Sequence, residues 1–187
     1  MRNNKRIGRR VTGGAIAAVS TLALVGLTAG TSQAAAVSPS RTAAARPAWA
    51  DTNSLSVRIH PLSPGAGQRY ASVVLTNKTH KTVRTQGYTG LQLLNSHGKN
   101  VTTHVVRDPG HTPLLTLKPG QSVHTTLHWT IVGAKGEPTK GEKNPTALEV
   151  TPPDSRHHLT TAWKLGDVLQ KGRIDITPLA KGTGPKN

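Results

Sequence analysis

Cysteine is absent from all 187 residues of this chain. A disulfide framework, an iron–sulfur cluster, thiol catalysis and a cysteine-ligated zinc site are therefore excluded. Phenylalanine is also absent, and the aromatic residues are three Trp and two Tyr. The hydrophobic core must therefore be built mainly from Val, Leu, Ile and Ala. Acidic residues are scarce as well, because eight Asp and Glu face 24 Lys and Arg, for a formal net charge of +16.

Residues 1–34 have the three parts of a bacterial-type secretory signal peptide. A basic start without acids is followed by the apolar run 15–29 and by small residues at a cleavage-like site around Ala34. A membrane anchor is the alternative, but a spanning helix needs about 20 apolar residues and this run is shorter. The Arg9-Arg10 pair leaves twin-arginine export open, although the residues after it match that signal poorly and favour the Sec route. We therefore predict a secreted, extracellular protein, and association with the cell wall is left open.

The remaining chain has the length of one domain. Residues 35–50 are rich in Ala, Ser, Pro and Arg and are predicted to be a flexible linker. Residues 51–180 form the predicted domain, and residues 181–187 form a basic tail that is predicted to be disordered. After cleavage the chain keeps 19 of its 24 basic residues and all eight acids, which leaves a net charge of +11.

Alternation of apolar and polar residues predicts strands throughout the domain. The clearest strand is 123–131, where Leu127 and Trp129 share the apolar face while His124 and His128 share the other. We expect Trp129, Leu127, Val73, Val57 and Leu75 to be buried. Other strands are predicted at 55–59, 71–75, 82–86, 91–94, 101–106, 114–117, 147–150, 159–165 and 173–177. The one candidate helix, 163–170, is interrupted by Gly166. Short strands between turn signals predict an all-β antiparallel sandwich, with a closed barrel as the alternative.

Several motifs follow one another in a recognisable order. A strand that ends at Asn77 precedes a Gly87-Tyr88 turn, a Gly98 hairpin, the Leu117-Lys118-Pro119-Gly120 turn, Leu127-His128-Trp129 and Val150-Thr151-Pro152-Pro153. Over roughly residues 55–178 this order resembles DUF4232, a secreted, mostly actinobacterial domain of unknown function. The resemblance implies an immunoglobulin-like antiparallel β-sandwich and export. It supplies no catalytic residue, because no activity is established for that family.

The chain departs from this family at three places. Members commonly carry two cysteines, and the corresponding places here are Val83 and the Lys143-Asn144 region. Thr89 stands where a proline usually follows Gly-Tyr. The resemblance therefore implies a variant of the fold that lacks the usual disulfide.

Motifs of enzyme active sites and metal centres are missing from the sequence. His124 and His128 lie four residues apart on one strand face, about 13 Å, which is too far for one metal ion to bridge. No Gly-x-Ser-x-Gly motif is present, and the only acids placed in strands, Glu149 and Asp175, are expected on solvated faces. We therefore predict no enzymatic activity, no metal and no cofactor, and an undetected extracellular enzyme is a distant alternative.

The basic residues are the remaining feature of the sequence that indicates a function. Three groups are candidate polyanion-binding residues: Lys78, Lys81 and Arg84; Lys135, Lys140 and Lys143; and Arg156, Lys171 and Arg173. If loops bring two groups together, the surface attracts teichoic acid-like polymers or an anionic surface; otherwise the surface is diffusely positive. With few exposed aromatics, specific nucleic-acid binding is not expected. The sequence therefore predicts a monomeric, non-catalytic secreted module with a binding or structural role, whose partner is an anionic envelope polymer or an envelope protein.

Overall fold

The computed structural model describes residues 45–137 and 145–185, which lie in one compact unit, Ala43–Asn187. The predicted signal peptide and most of the predicted linker lie outside the described residues. Within the described ranges, every regular element is a strand, which confirms the predicted all-β class. The helix considered for 163–170 is wrong, because those residues form turns and irregular chain. No helix of the described chain is long and apolar enough to cross a membrane.

Twelve strands follow one another along the described chain. They are β1 (Ala48–Trp49), β2 (Leu55–Gly65), β3 (Gln68–Asn77), β4 (Val83–Thr85), β5 (Gly90–Leu94), β6 (His104–Arg107), β7 (Leu115–Leu117), β8 (Ser122–Thr130), β9 (Ala147–Thr151), β10 (Leu159–Ala162), β11 (Arg173–Ile176) and β12 (Ala180–Lys181). Most of them coincide with the runs that alternation predicted, within a few residues at each end.

The strands form three sheets. The largest has the order β2-β3-β8-β11-β6, with β12 also paired to β8, and the two smaller sheets have the orders β1-β4-β7 and β10-β9-β5. Pairing is antiparallel except between β1 and β4 and between β11 and β6. The central pair, β3 and β8, is in continuous register from Gln68 opposite Thr130 to Thr76 opposite Ser122. Antiparallel sheets around a shared interior are consistent with the predicted β-sandwich.

One apolar cluster joins the three sheets. Val73, Leu75, Leu127 and Trp129 are buried as predicted, and they contact buried leucines of the two smaller sheets. Val57 is only half-buried, because β2 is the edge strand of the large sheet and one side of the residue lacks a neighbouring strand. The core lies between the sheets. It consists almost entirely of aliphatic side chains, because the chain has no phenylalanine.

Both ends of the domain are more ordered than composition predicted. Ala48 and Trp49, placed in the linker by sequence, pair with Val83 and Arg84. At the other end, residues 180–185 form what we call the C-terminal strap. Its Lys181 pairs with β8, and Ser72 donates a hydrogen bond to the carbonyl of Thr183 at 3.2 Å. These short segments satisfy backbone groups along strand edges that would otherwise have no partner.

Candidate functional site

The first basic group is divided by the structure. Lys78 and Lys81 are exposed in the loop after β3, at the end of the domain where β8 begins. Arg84 lies in β4 instead and its guanidinium covers the indole of Trp49 at 4.4 Å. Lys118, which sequence reasoning did not select, is exposed on the turn whose Gly120 donates to the carbonyl of Asn77 at 2.9 Å. The basic cluster at this end is therefore Lys78, Lys81 and Lys118.

Members of the second and third groups are brought together by an acid. Lys140 and Lys143 lie outside the described residues, whereas Lys135 is exposed in the loop after β8. In the same loop, the carboxylate of Glu137 accepts hydrogen bonds from the backbone N–H groups of Gln170 at 2.8 Å and Lys171 at 2.9 Å. The loop that carries Lys135 therefore contacts the turn that carries Lys171.

The two arginines of the third group lie apart from that contact. Arg156 is exposed on the β9–β10 hairpin. Arg173 donates to Asp175 through both Nη2, at 2.6 Å, and Nε, at 2.9 Å. The expectation of a solvated Asp175 is wrong, because the residue is only 6% exposed and the guanidinium compensates its burial. The hydrogen bonds from Arg173 lower the pKa of Asp175, and His128 lies 3.8 Å from the same carboxylate.

The buried carboxylate makes the domain sensitive to acid. We expect Asp175→Asn to lower the free energy of unfolding at neutral pH by about 1.5 kcal/mol, at the low end for charged hydrogen bonds since Arg173 is half exposed. Because the pKa of Asp175 is lower in the folded state, its stabilisation is present above the ordinary value of 3.8 and is lost as the pH falls below it. Urea unfolding of wild type and Asp175→Asn between pH 7 and pH 3 measures how the difference in their free energies of unfolding depends on pH.

The control for this measurement is Asp154→Asn. Asp154 is an exposed turn residue with a φ of 60°, a conformation that asparagine tolerates well. Its substitution should change the free energy of unfolding by less than about 0.5 kcal/mol. A difference between wild type and Asp175→Asn that stays constant down to pH 3 contradicts the assigned role of the carboxylate.

A groove that sequence reasoning missed runs along the edge of the large sheet. It lies between β2 and the segment formed by β10 and residues 163–165, and we call it the β2–β10 groove. Two adjoining parts have volumes of about 340 and 430 Å³ and share Pro61, Lys164 and Leu165. The residues that line it are Arg58, Ile59, His60, Pro61, Leu62, Pro64, Arg69, Tyr70, Trp129, Thr161, Ala162, Lys164 and Leu165. Four of these side chains are basic types, and none is acidic.

Local structure explains how these residues meet. β2 and β3 are joined by a tight turn at Ala66 and Gly67, which places Arg69 and Tyr70 beside the end of β2. Across the groove, the indole N–H of Trp163 donates to the carbonyl of Gly166 at 2.7 Å. That hydrogen bond closes the turn that carries Lys164. Trp163 also packs against Trp129, with ring centroids 5.0 Å apart, so the groove is supported by a tryptophan pair.

The histidines of the described chain do not form a group that could bind a metal ion. Within residues 45–137 and 145–185, no group of three or more His, Cys, Asp or Glu side chains could hold a metal ion. His124 and His128 do share a strand face, but His124 faces the carbonyl of Gly182 and His128 stacks on Tyr70 at 5.8 Å. These histidines have structural neighbours of their own.

Together, these features define a small all-β domain with a basic groove at the edge of its main sheet. The chain belongs to the family of a domain of unknown function, DUF4232, whose family model matches residues 50–180. The resemblance stated from the sequence motifs is therefore confirmed. No curated protein and no solved structure matches the chain.

One of the two cysteine positions can be seen in the structure. Val83, which occupies it, is 5% exposed and belongs to the hydrophobic core. The other place, Lys143-Asn144, lies outside the described residues. At the first position a buried aliphatic side chain thus stands where the resemblance places a cysteine in other members.

Proposed function

We propose that this chain is an exported, non-catalytic binding module that holds an anionic polymer of the cell envelope in the β2–β10 groove. The observation that carries the proposal is the charge of the groove. Arg58, Arg69 and Lys164 come from three separate segments. Arg69 and Lys164 line one part of the groove, Arg58 and Lys164 line the adjoining part, and neither part is lined by a carboxylate. Export rests on the predicted signal peptide at residues 1–34.

The acidic residues support this proposal, since several are engaged inside the domain. Asp51 accepts from the backbone N–H of Ser54 at 2.8 Å, and Glu137 accepts from backbone amides. Glu149 is paired with His158, and Asp175 is paired with Arg173 and His128. These acids therefore have partners of their own, and none of them lines the groove.

A phosphate-bearing polymer of the teichoic acid type suits the groove best. Arginine presents a planar fork of donors that matches phosphate oxygens in a bidentate manner, and the groove has two arginines. Its apolar lining, which includes Pro61, Tyr70 and Leu165, offers a surface for the less polar faces of the sugar or polyol units between phosphates. Volumes of 340 and 430 Å³ hold one or two such units at a time.

Charge-matched variants test the proposal. The groove variant combines Arg58→Gln, Arg69→Gln and Lys164→Gln, and the control combines Lys78→Gln, Lys81→Gln and Lys118→Gln at the far end of β3. Both lose three positive charges. Exposed charge contacts contribute about 0.2–1 kcal/mol each, so we expect the groove variant to bind purified teichoic acid about tenfold more weakly. The control should stay within about threefold of wild type, since it loses only long-range attraction.

Three outcomes of this experiment decide between mechanisms. An equal loss in both variants shows a diffusely positive surface and removes the groove as the site. Elution of the unmodified protein from immobilised teichoic acid below physiological salt overturns polymer binding altogether. Retention on anionic lipid vesicles but not on teichoic acid identifies a membrane surface as the target instead.

A further inference from the structure

Three successive residues before β11 have left-handed backbone conformations. The φ angles of Gln170, Lys171 and Gly172 are 53°, 59° and 75°. In this arrangement the N–H groups of Gln170 and Lys171 converge on one carboxylate, that of Glu137, at 2.8 and 2.9 Å. Successive backbone N–H groups that converge in this way form a concave anion-binding feature known as a nest. We call residues 170–172 the nest.

We infer that the nest is a binding site for phosphate or carboxylate groups of an external ligand, and that Glu137 is an internal ligand that occupies it. The inference goes beyond the proposed groove, because the nest uses other loops and different donors. An external anion gains the same two amide hydrogen bonds when it replaces Glu137. The carboxylate is then released into water.

The nest is built without help from Glu137. Gly172 packs so closely on the preceding strand connection that a Cβ there would lie 1.9 Å from the carbonyl oxygen of Thr102. The carbonyl of Gly172 also accepts from the N–H of His104 at 2.8 Å. The N–H of Arg173 bonds back to the carbonyls of Leu169 and Gln170, both at 3.3 Å. These contacts fix the backbone of the nest from the core side, so its donors stay in place when the carboxylate leaves.

Glu137 has the properties of a replaceable ligand. Its three hydrogen bonds all come from backbone amides, two in the nest and one from Ala134 in its own loop at 2.9 Å. These bonds lower the pKa of Glu137, so the carboxylate is charged at neutral pH and occupies the nest as an anion. The nest carries the exposed side chain of Lys171, and Lys135 is exposed two residues before Glu137. The surroundings therefore favour an anion whether or not it belongs to the protein.

Glu137→Ala tests the inference directly. The backbone amide signals of Gln170 and Lys171 are followed by ¹⁵N–¹H NMR during titration with inorganic phosphate, and with acetate in a second arm. Since charge-assisted hydrogen bonds are the strong class, removal of the internal competitor should tighten phosphate binding at these amides at least about tenfold. Glu149→Ala is the matched control, because it removes one negative charge that pairs with His158 elsewhere in the domain.

The result expected is a saturable shift of the two nest amides in Glu137→Ala that wild type and Glu149→Ala show only at much higher phosphate. Unmoved nest amides in an otherwise native spectrum overturn the inference and leave Glu137 a structural contact. If the signals of residues 169–173 disappear in Glu137→Ala, Glu137→Gln replaces it, because a neutral amide oxygen keeps the loop contact but competes with phosphate less strongly than a carboxylate does. A missing phosphate shift in that variant overturns the inference as well. The groove variants leave the nest intact, so failure of polymer binding in the groove does not affect this test.

Discussion

Gly172→Ala is expected to lower the free energy of unfolding by about 3–5 kcal/mol, which is enough to unfold much of a marginally stable domain. Two costs add at this position. A left-handed backbone costs an alanine about 1–2 kcal/mol. The new Cβ would also meet backbone atoms of Thr102, its carbonyl oxygen at 1.9 Å and its carbonyl carbon at 2.7 Å. A main-chain carbonyl cannot rotate away as a side chain can, so the overlap must be relieved by displacement of the strand connection.

Gly120→Ala provides the matched control for that measurement. Gly120 has a φ of 75°, the same as Gly172, but nothing lies within 4 Å of the position that its Cβ would take. Its substitution should therefore cost only the conformational term, about 1–2 kcal/mol. Urea unfolding of the two variants isolates the steric cost as the difference between them. Equal losses of stability would show that the segment at Thr102 moves aside freely and that Gly172 is required for its φ alone.

The strands predicted best from sequence are those with one buried face. In β8 alternate positions carry Val123, Thr125, Leu127 and Trp129, and the structure buries all four. Period-two alternation records a half-buried strand directly, because successive side chains point to opposite faces. Strands of two residues are too short to show this alternation. The pairing of Ala48 and Trp49 with β4, and that of Lys181 with β8, therefore had no signal in the sequence.

The ion pair that accompanies the burial of Asp175 does have a signal in the sequence. Arg173 and Asp175 are two residues apart in one strand, so their side chains lie on the same face and can form an ion pair. A solvated strand face was expected for Asp175, but the structure buries the carboxylate under the guanidinium. Opposite charges at a spacing of two within a predicted strand were the available signal.

The β2–β10 groove had no comparable signal. Alternation in β2 separates Arg58 from its apolar neighbours, yet it does not indicate which strand lies opposite. The partner across the groove, residues 159–165, belongs to a different sheet and is far away in sequence. The segment that lies beside an edge strand depends on how whole sheets pack against each other. A single sequence does not show that packing. The basic groups chosen by proximity in sequence were consequently divided, as Arg84 and Arg173 show.

Residues of separate family motifs contact one another in the structure. The Asn that ends β3 and the Leu-x-Pro-Gly turn are distant in sequence, but they touch: Asn77 donates to the carbonyl of Leu117 at 3.0 Å and accepts from the N–H of Gly120 through its own carbonyl at 2.9 Å. The Gly-Tyr turn is held similarly, because the carbonyl of Gly87 accepts from Leu179 at 2.9 Å. These motifs therefore include residues that hold loops of the sandwich together.

Asn77→Ala should accordingly cost about 2–4 kcal/mol of unfolding free energy. Asn77 is fully buried, and its amide nitrogen donates to the carbonyls of Lys81, at 2.8 Å, and Leu117. Its side-chain oxygen accepts from the N–H and the hydroxyl of Thr79 at 3.0 and 2.8 Å. Alanine replaces none of these four bonds, and each buried group left without a partner costs about 1–3 kcal/mol unless water reaches it.

Asn95→Ala is the control for Asn77→Ala. Asn95 uses only its side-chain oxygen, which accepts from His97 at 2.9 Å and Lys99 at 3.0 Å in an exposed turn. Water can replace those bonds, so we expect a loss of about 0.5–1 kcal/mol. Thermal and urea unfolding of both variants measure the difference. If Asn77→Ala costs no more than Asn95→Ala, the contact between the strand-ending asparagine and the Leu-x-Pro-Gly turn does not hold this end of the sandwich together, and the shared motif needs another explanation.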